Sequence, residues 1–314
     1  MNISVVVPSH NNEQWLKDCI SSINQQRADS IESIFVLDNN SDNSQIIIKK
    51  YAKNFKIYET TFGNAASARN FGVQKAKNEW IAFLDGDDYW TQDHLSNAIK
   101  CLKNSEHVAY FVNFKELYEG NGEFFVKNSA SDIDHLSEFT GEEFYKLFLA
   151  SNPGWPTSGM IVNRKRFLEV GGFDEKQLRR HDTEMFSRVV YGQKWTYNPA
   201  VGFIYRKNVP DAISNDRPSC SYFRLLADIK ICNLYGLKRG EYNLHRRAEI
   251  ALSEQFLLGL NREHQKKTLE LALPFLKGRK LFFYKTVGWN PFICRCLLTF
   301  FKRLKMSTRN VSEN

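Results

Sequence analysis

Trp80-Ile81-Ala82-Phe83-Leu84-Asp85-Gly86-Asp87-Asp88 decides how the chain is read. Five apolar residues in a row, bounded by a sharp polar stop, predict a strand buried on both faces in the centre of a parallel sheet. Three carboxylates crowd the four positions after it. Like charges at that spacing repel one another unless solvent or a cation offsets them. Mg²⁺ or Mn²⁺ typically takes one or two carboxylates and completes its shell with waters and phosphate oxygens, so a sparse Asp-x-Asp suits either ion. The alternative is a solvated acidic turn whose Asp88 or Thr91 caps the next helix.

Upstream, short β-branched runs alternate with helical patterns, the mark of βαβ units. A strand over Ile3 to Val7 ends at the breaker cluster Pro8-Ser9-His10-Asn11-Asn12. A helix follows with Trp15, Leu16, Cys19, Ile20 and Ile23 on one face. Ser33 to Leu37 reads as the second strand, stopped by Asp38-Asn39-Asn40-Ser41-Asp42, with Asp42 or Ser44 placed to cap a helix over Ile46 to Tyr51. Phe55 to Glu59 is a third short strand, and Ala65 to Ala76 a helix. Ligands of open α/β sheets bind beyond the carboxyl ends of the strands. Three polar loops, Pro8 to Asn12, Asp38 to Asp42 and Asp85 to Asp88, are therefore predicted to converge on one site.

Downstream, a helix over Gln92 to Asn104 and a strand over Ala109 to Phe114 lead into a loop-rich stretch reaching Ala150. Met160 to Asn163 and Phe203 to Tyr205 read as strands, and from about Pro218 the pattern is helical. The fold class predicted is α/β with a mostly parallel sheet over residues 1–215, followed by a helical region over 216–314.

Composition sets the bounds. The 314 residues, 42% hydrophobic and 25% charged, suffice for one large domain with an appendage. A net charge of +8 is a modest excess concentrated after Lys238, and nucleic acid is not expected as a partner. The six cysteines form no CxxC pair and have no His at zinc-finger spacing, which points to a reducing compartment, neither metal cluster nor disulfide framework being expected. The sequence runs from Met1 straight into a strand pattern, so no secretory signal is expected, and no stretch reaches the ~20 apolar residues that span a bilayer.

Four fragments, Ser4 to Asn11, Val36 to Asp42, Ala68-Arg69-Asn70-Phe71-Gly72 and Phe83 to Asp88, resemble in order and spacing the inverting family 2 glycosyltransferases of the GT-A fold. The resemblance covers about residues 1–115 and continues in patches to about 206. It implies that Pro8, Ser9, His10, Asp38 and Asn39 hold the nucleoside of a nucleotide-sugar donor, and that Arg69 faces the donor. It also implies that Asp87 binds a divalent metal, and that Asp85 lies near the ribose or the metal. This chain departs from the pattern at Asn39, usually Asp, and at Thr61, usually Asn. An amide donates as well as accepts, so Asn39 alters how the base is read. Without the resemblance, Arg69 reads as an ordinary ion-pairing residue on a helix surface.

Transfer with inversion needs a base that takes the acceptor proton. Gly171-Gly172-Phe173-Asp174-Glu175, followed by Arg180-His181-Asp182, resembles the family's run ending in a Glu-Asp pair, which makes Asp182 the candidate base and puts His181 where Glu is usual. Asp182 also reads as the N-cap of a helix over Thr183 to Val190, and His181 as a second proton acceptor on pKa grounds. Trp155 sits where the family forms an acceptor-side wall, stacking on a sugar or packing in the core. Tyr205-Arg206, followed by Ser214, resembles an element near the diphosphate.

The resemblance implies transfer of a glycosyl group to a hydroxyl of a glycan or lipid-linked acceptor in cell-surface polysaccharide synthesis. A nucleotidyltransferase would need a glycine-rich, Lys/Arg-bearing loop after the first strand, which Pro8 to Asn12 is not. A non-catalytic nucleotide-sugar or glycan-binding module is the other alternative. Phe292, Ile293, Cys296, Leu297, Phe300, Phe301 and Leu304 recur at helical spacing opposite basic residues. That pattern reads as a helix lying on an inner-leaflet membrane surface or docked on the domain, and the expected location is cytoplasmic.

Overall fold

The computed structural model describes residues 1–28, 30–52, 55–103, 105–118, 125–129, 136–143, 156–207, 209, 217–237, 244–258, 262–290, 294 and 298. The expectations on Trp155, Ser214 and most of the 292–304 stretch lie outside these residues. The chain packs as two units, Met1–Ala212 and Ile213–Asn314.

The first unit is built on one ten-stranded sheet. Its strands are β1 (Ile3–Ser9), β2 (Ile31–Asp38), β3 (Phe55–Thr60), β4 (Trp80–Phe83), β5 (Tyr89–Trp90), β6 (His107–Tyr118), β7 (Phe125–Ser129), β8 (Ser137–Thr140), β9 (Met160–Asn163) and β10 (Lys194–Lys207). They lie in the order β3-β2-β1-β4-β9-β6-β10-β5, with β7 beside β6 and β8 beside β10. β1, β2, β3, β4, β6 and β10 run one way, and β9 enters antiparallel between β4 and β6. The helices are α1 (Leu16–Asn24), α2 (Ser44–Tyr51), α3 (Ala65–Lys75), α4 (His94–Leu102), α5 (Arg164–Glu169) and α6 (His181–Val190).

Both faces of the central strands are covered, as the continuous apolar runs predict. Ile3, Val5 and Val7 of β1 pack with Leu16, Cys19, Ile20 and Ile23 of α1 and Ile48 of α2. On the opposite face α3 lies so close that a Cβ on Gly72 would stand 2.4 Å from Val6 Cγ1. β4 is buried throughout and delivers the acidic turn to the carboxyl edge of the sheet.

Several strands extend further than expected, β6 reaching Tyr118 past the expected end at Phe114. β1 continues to Ser9 because Pro8 and Ser9 still pair with Val36 and Leu37 of β2, while on the β4 side the last bond is from Leu84 N to Val6 O. Pro8, two residues on, faces that same side beyond the end of β4, where its missing N–H breaks no ladder. β10 begins at Lys194, nine residues before the expected Phe203, despite the interior Pro199 and Gly202. Register shifts between Asn198 and Val201 and between Val201 and Phe203 absorb both as bulges. A Cβ on Gly202 would stand 2.4 Å from Val112 Cγ1, so the bulged strand passes where only glycine fits.

The second unit is helical: α7 (Arg217–Leu234), α8 (Leu244–Leu258), α9 (Arg262–Ala272) and α10 (Gly278–Val287). Its core gathers Leu225, Ala248, Leu252, Phe256, Leu269, Leu276 and Tyr284.

Candidate functional site

Of the three loops expected to converge, the first two are knitted together by hydrogen bonds. Asn11 N donates to Asn40 Oδ1, Ser41 N to Asn11 Oδ1 and Glu13 N to Asp42 Oδ2, each at 2.8 Å. Asn11 and Asn39 both adopt φ of 50°, a left-handed conformation that Asn tolerates better than most residues. His10 Nδ1 lies 2.7 Å from the carbonyl of Asp38, which makes Nδ1 the protonated nitrogen. Asn12 Oδ1 accepts from Ser9 Oγ and His10 N, and a Cβ on Gly86 would meet that same oxygen at 2.8 Å. Gly86 therefore lets the acidic turn close onto the first loop.

Asp38 is buried, and its carboxylate organises the chain after β3. Oδ1 accepts from Phe62 N at 2.6 Å and Thr60 Oγ1 at 3.1 Å, and Oδ2 from Asn64 N at 3.0 Å. Asn39 beside it is exposed.

The carboxylates after β4 have separate environments. Asp88 is 1% exposed, so it neither belongs to a solvated turn nor caps α4, whose N-cap is Asp93. Its Oδ2 accepts from Ser158 Oγ at 2.5 Å and its Oδ1 from the backbone N–H of Arg206 at 3.0 Å. Ser158 Oγ in turn accepts from Asp85 N, so Asp88 and Ser158 fix the turn against β10. Asp85 Oδ1 accepts from Arg69 Nη2 at 2.5 Å. No side chain among the described residues hydrogen-bonds the carboxylate of Asp87. Burial, and then the charge of Asp85, push its carboxyl up to about 7. A site that resists ionising its own carboxylate is one that a cation would complete. Among the described residues no third His, Cys, Asp or Glu joins Asp85 and Asp87. Two carboxylates suit Mg²⁺ or Mn²⁺, which complete their shells with water and phosphate oxygens, better than a softer metal.

Arg69 is 4% exposed and is no surface ion pair. Its Nη2 holds Asp85 and its Nη1 lies 2.9 Å from His181 Nε2, while its guanidinium stacks 5.5 Å over the ring of Phe173. Guanidinium only donates, so His181 accepts at Nε2 and carries its proton on Nδ1, which has no hydrogen-bond partner among the described residues. Burial, reinforced by the Arg69 charge, lowers the imidazole to about 4. His181 is therefore neutral at pH 7 and is a poor proton acceptor. Between pH 6.5 and 4 the unfolded chain binds this proton and the native protein does not, so stability rises with pH there and falls on acidification. His181→Gln keeps an acceptor for Arg69. It should lose less stability than wild type between pH 6.5 and 5, by on the order of 2 kcal/mol in urea titrations.

α6 begins at His181, with Arg180 at its N-cap in the left-handed region, so Asp182 lies in the first turn and is not the cap. Oδ1 of Asp182 accepts from Thr183 N at 2.7 Å and from Thr183 Oγ1, and no hydrogen bond among the described residues reaches Oδ2. Arg206 is buried, pairs through Nη2 with Asp18 Oδ2 at 2.5 Å and stacks 5.1 Å over Tyr89. Burial, and after it the charges of Asp88, Asp87, Asp85 and Asp182, raise the Tyr205 phenol. An open cleft of about 530 Å³, lined by Asn70, Phe173, Asp174, Glu175, Glu184 and Arg188 among others, includes none of these residues.

Sequence reasoning did not find Asp18, Ser158 or the structural role of Asp88. Ser158 and Asp18 meet their partners across 70 and 188 positions, and nothing local marks them.

A mostly parallel sheet with paired carboxylates at the end of its fourth strand, facing two knitted polar loops, defines the GT-A type of fold. The crystal structure of S. aureus TarS 1-349 in complex with UDP-GlcNAc shares it at TM-score 0.69 and 18% identity, over 96% of this chain and 92% of that one. The family model for glycosyl transferase family 2 matches residues 4–171, and the chain belongs to that family. It is 29% identical over 146 residues to the putative glycosyltransferase EpsH of Bacillus subtilis (strain 168), covering 46% of this chain and 41% of that protein. It is 31% identical over 116 residues to the putative teichuronic acid biosynthesis glycosyltransferase TuaG of the same organism, covering 36% of this chain and 46% of TuaG. The matched stretches thus span less than half the length of these two relatives.

Proposed function

We propose that the chain transfers a glycosyl group, with inversion, from a nucleoside diphosphate sugar to a hydroxyl of a glycan or lipid-linked acceptor in cell-surface polysaccharide synthesis. The half-buried Asp87 beside Asp85, short of hydrogen-bond donors at the carboxyl edge of the sheet, is the observation that carries this reading. Family membership and the likeness to TuaG support it.

In this reading the loops holding Pro8, Ser9 and His10 and Asp38 and Asn39 take the nucleoside. Asp38, already held by three donors, fixes the shape of that pocket, and Asn39 offers the base an amide. Asp87 and Asp85 would hold Mn²⁺ or Mg²⁺, which when bound neutralises charge on the diphosphate. Arg69 keeps Asp85 in position, and Arg206, aligned by Asp18 and Tyr89, lends a second positive charge beside the phosphates. Oδ2 of Asp182 takes the proton from the acceptor hydroxyl as that oxygen bonds to the anomeric carbon. The bond from that carbon to the diphosphate breaks, and the nucleoside diphosphate leaves with the electron pair. His181 stays neutral and orients Arg69. The protein acts at the cytoplasmic face of the membrane; no helix among the described residues is long and apolar enough to cross one.

Donor binding is tested by melting the protein with a panel of nucleoside diphosphate sugars, with and without Mn²⁺. A donor at 100 times its Kd stabilises by about 2.7 kcal/mol, so one member of the panel should raise Tm by several degrees with Mn²⁺ and much less without. A flat response across the panel would count against the reading.

A further inference from the structure

The second unit carries an exposed face outside the site. In α10, Tyr284 is buried in the unit's core, with Leu281 and Phe283 packed beside it. The opposite side is unusual for a water-facing helix: Phe282 is 73% exposed and Trp289, one residue past Gly288 at the helix end, is 53% exposed. Gly288 keeps right-handed helical angles, so the register continues to Trp289. Seven positions separate the two rings, which puts them on one face. Arg279 and Lys285, both exposed, flank that face at three residues either side of Phe282. Lys280 points elsewhere and pairs with Glu249.

The stretch of chain that carries this face has charges of one sign. No Asp or Glu stands between Glu270 and Glu313, a stretch carrying nine Lys or Arg residues. Single exposed apolar residues are common on protein surfaces, but two aromatic rings aligned on one helix face within an acid-free basic stretch are a different pattern. Aromatic rings settle at the level of lipid headgroups, and each nearby Lys or Arg adds attraction to anionic lipid. We propose that the face of α10 bearing Phe282 and Trp289, with Arg279 and Lys285 beside it, docks on an anionic membrane surface. The rings enter the headgroup boundary while the cations meet lipid phosphates, and Tyr284 stays in the core. This face is distinct from the stretch over 292–304, and it does not depend on the transfer reaction.

The test is flotation of the full chain with vesicles of phosphatidylcholine alone and of phosphatidylcholine with roughly a third phosphatidylglycerol, a fraction giving a strongly anionic surface. Wild type should float with the anionic vesicles and far less with the neutral ones. Phe282→Ser with Trp289→Ser, and separately Arg279→Glu with Lys285→Glu, should each weaken partitioning by roughly tenfold or more. Melting curves check folding; if the serine pair melts early, the charge-reversed pair decides. Three results would overturn the proposal. Wild type stays with neither vesicle, or both variants float as wild type does, which moves the binding to another part of the chain. In the third, wild type self-associates without lipid and the serine pair restores a monomer, making the face a contact between copies.

Discussion

Asp182→Asn should turn over at least about 10²-fold more slowly than wild type while binding donor as well. The substitution is conservative at this position. An Asn carbonyl oxygen can replace Oδ1 as acceptor of the two Thr183 bonds, so the first turn of α6 keeps its geometry. What is lost is the carboxylate oxygen that no hydrogen bond among the described residues reaches, the one proposed to take a proton. Steady-state rates with saturating donor, paired with donor-dependent melting shifts, separate the two effects. A variant that turns over near the wild-type rate removes Asp182 from the chemistry, and one that loses donor binding as well assigns it a positioning role.

Asp87→Asn should have a larger effect on activity and the opposite effect on stability. Removing one of the two proposed metal ligands should lower kcat/KM by about 10²- to 10³-fold, the scale of losing several kcal/mol of charge stabilisation. In the ligand-free protein the same change relieves a half-buried carboxylate set against Asp85 and poorly supplied with hydrogen bonds. The variant without metal should therefore melt above wild type at pH 8, and Mn²⁺ should raise the melting temperature of wild type only. A drop in both activity and stability would mark Asp87 as a structural residue.

The parts of this molecule that the sequence discloses are those with a local physical signature. Trp80 to Leu84 is apolar without interruption because both sheet faces are covered there, and the acidic turn follows at once. The knitted loops announce themselves through Asn and Asp clusters that suit left-handed turns, as Asn11 and Asn39 show. The first half of β10 stayed hidden because Pro199 and Gly202 argue against a strand, and only the bulges in its register accommodate them. The contact between Arg69 and His181 joins residues 112 positions apart, so the reading of Arg69 as a surface residue had nothing local to correct it. Asp88 looked like its neighbours in the acidic cluster, yet Ser158 and the backbone of Arg206 give it a structural task. Burial separates three adjacent carboxyls in a way that spacing does not.

The most direct measurement is a crystal soaked with Mn²⁺ and the donor that raises the melting temperature most. The expected result is an anomalous peak in direct contact with Asp87, bridging to the diphosphate, with the nucleoside between the Pro8 and Asp38 loops. Manganese bound away from Asp87, with the nucleotide outside those loops, would contradict the proposed site.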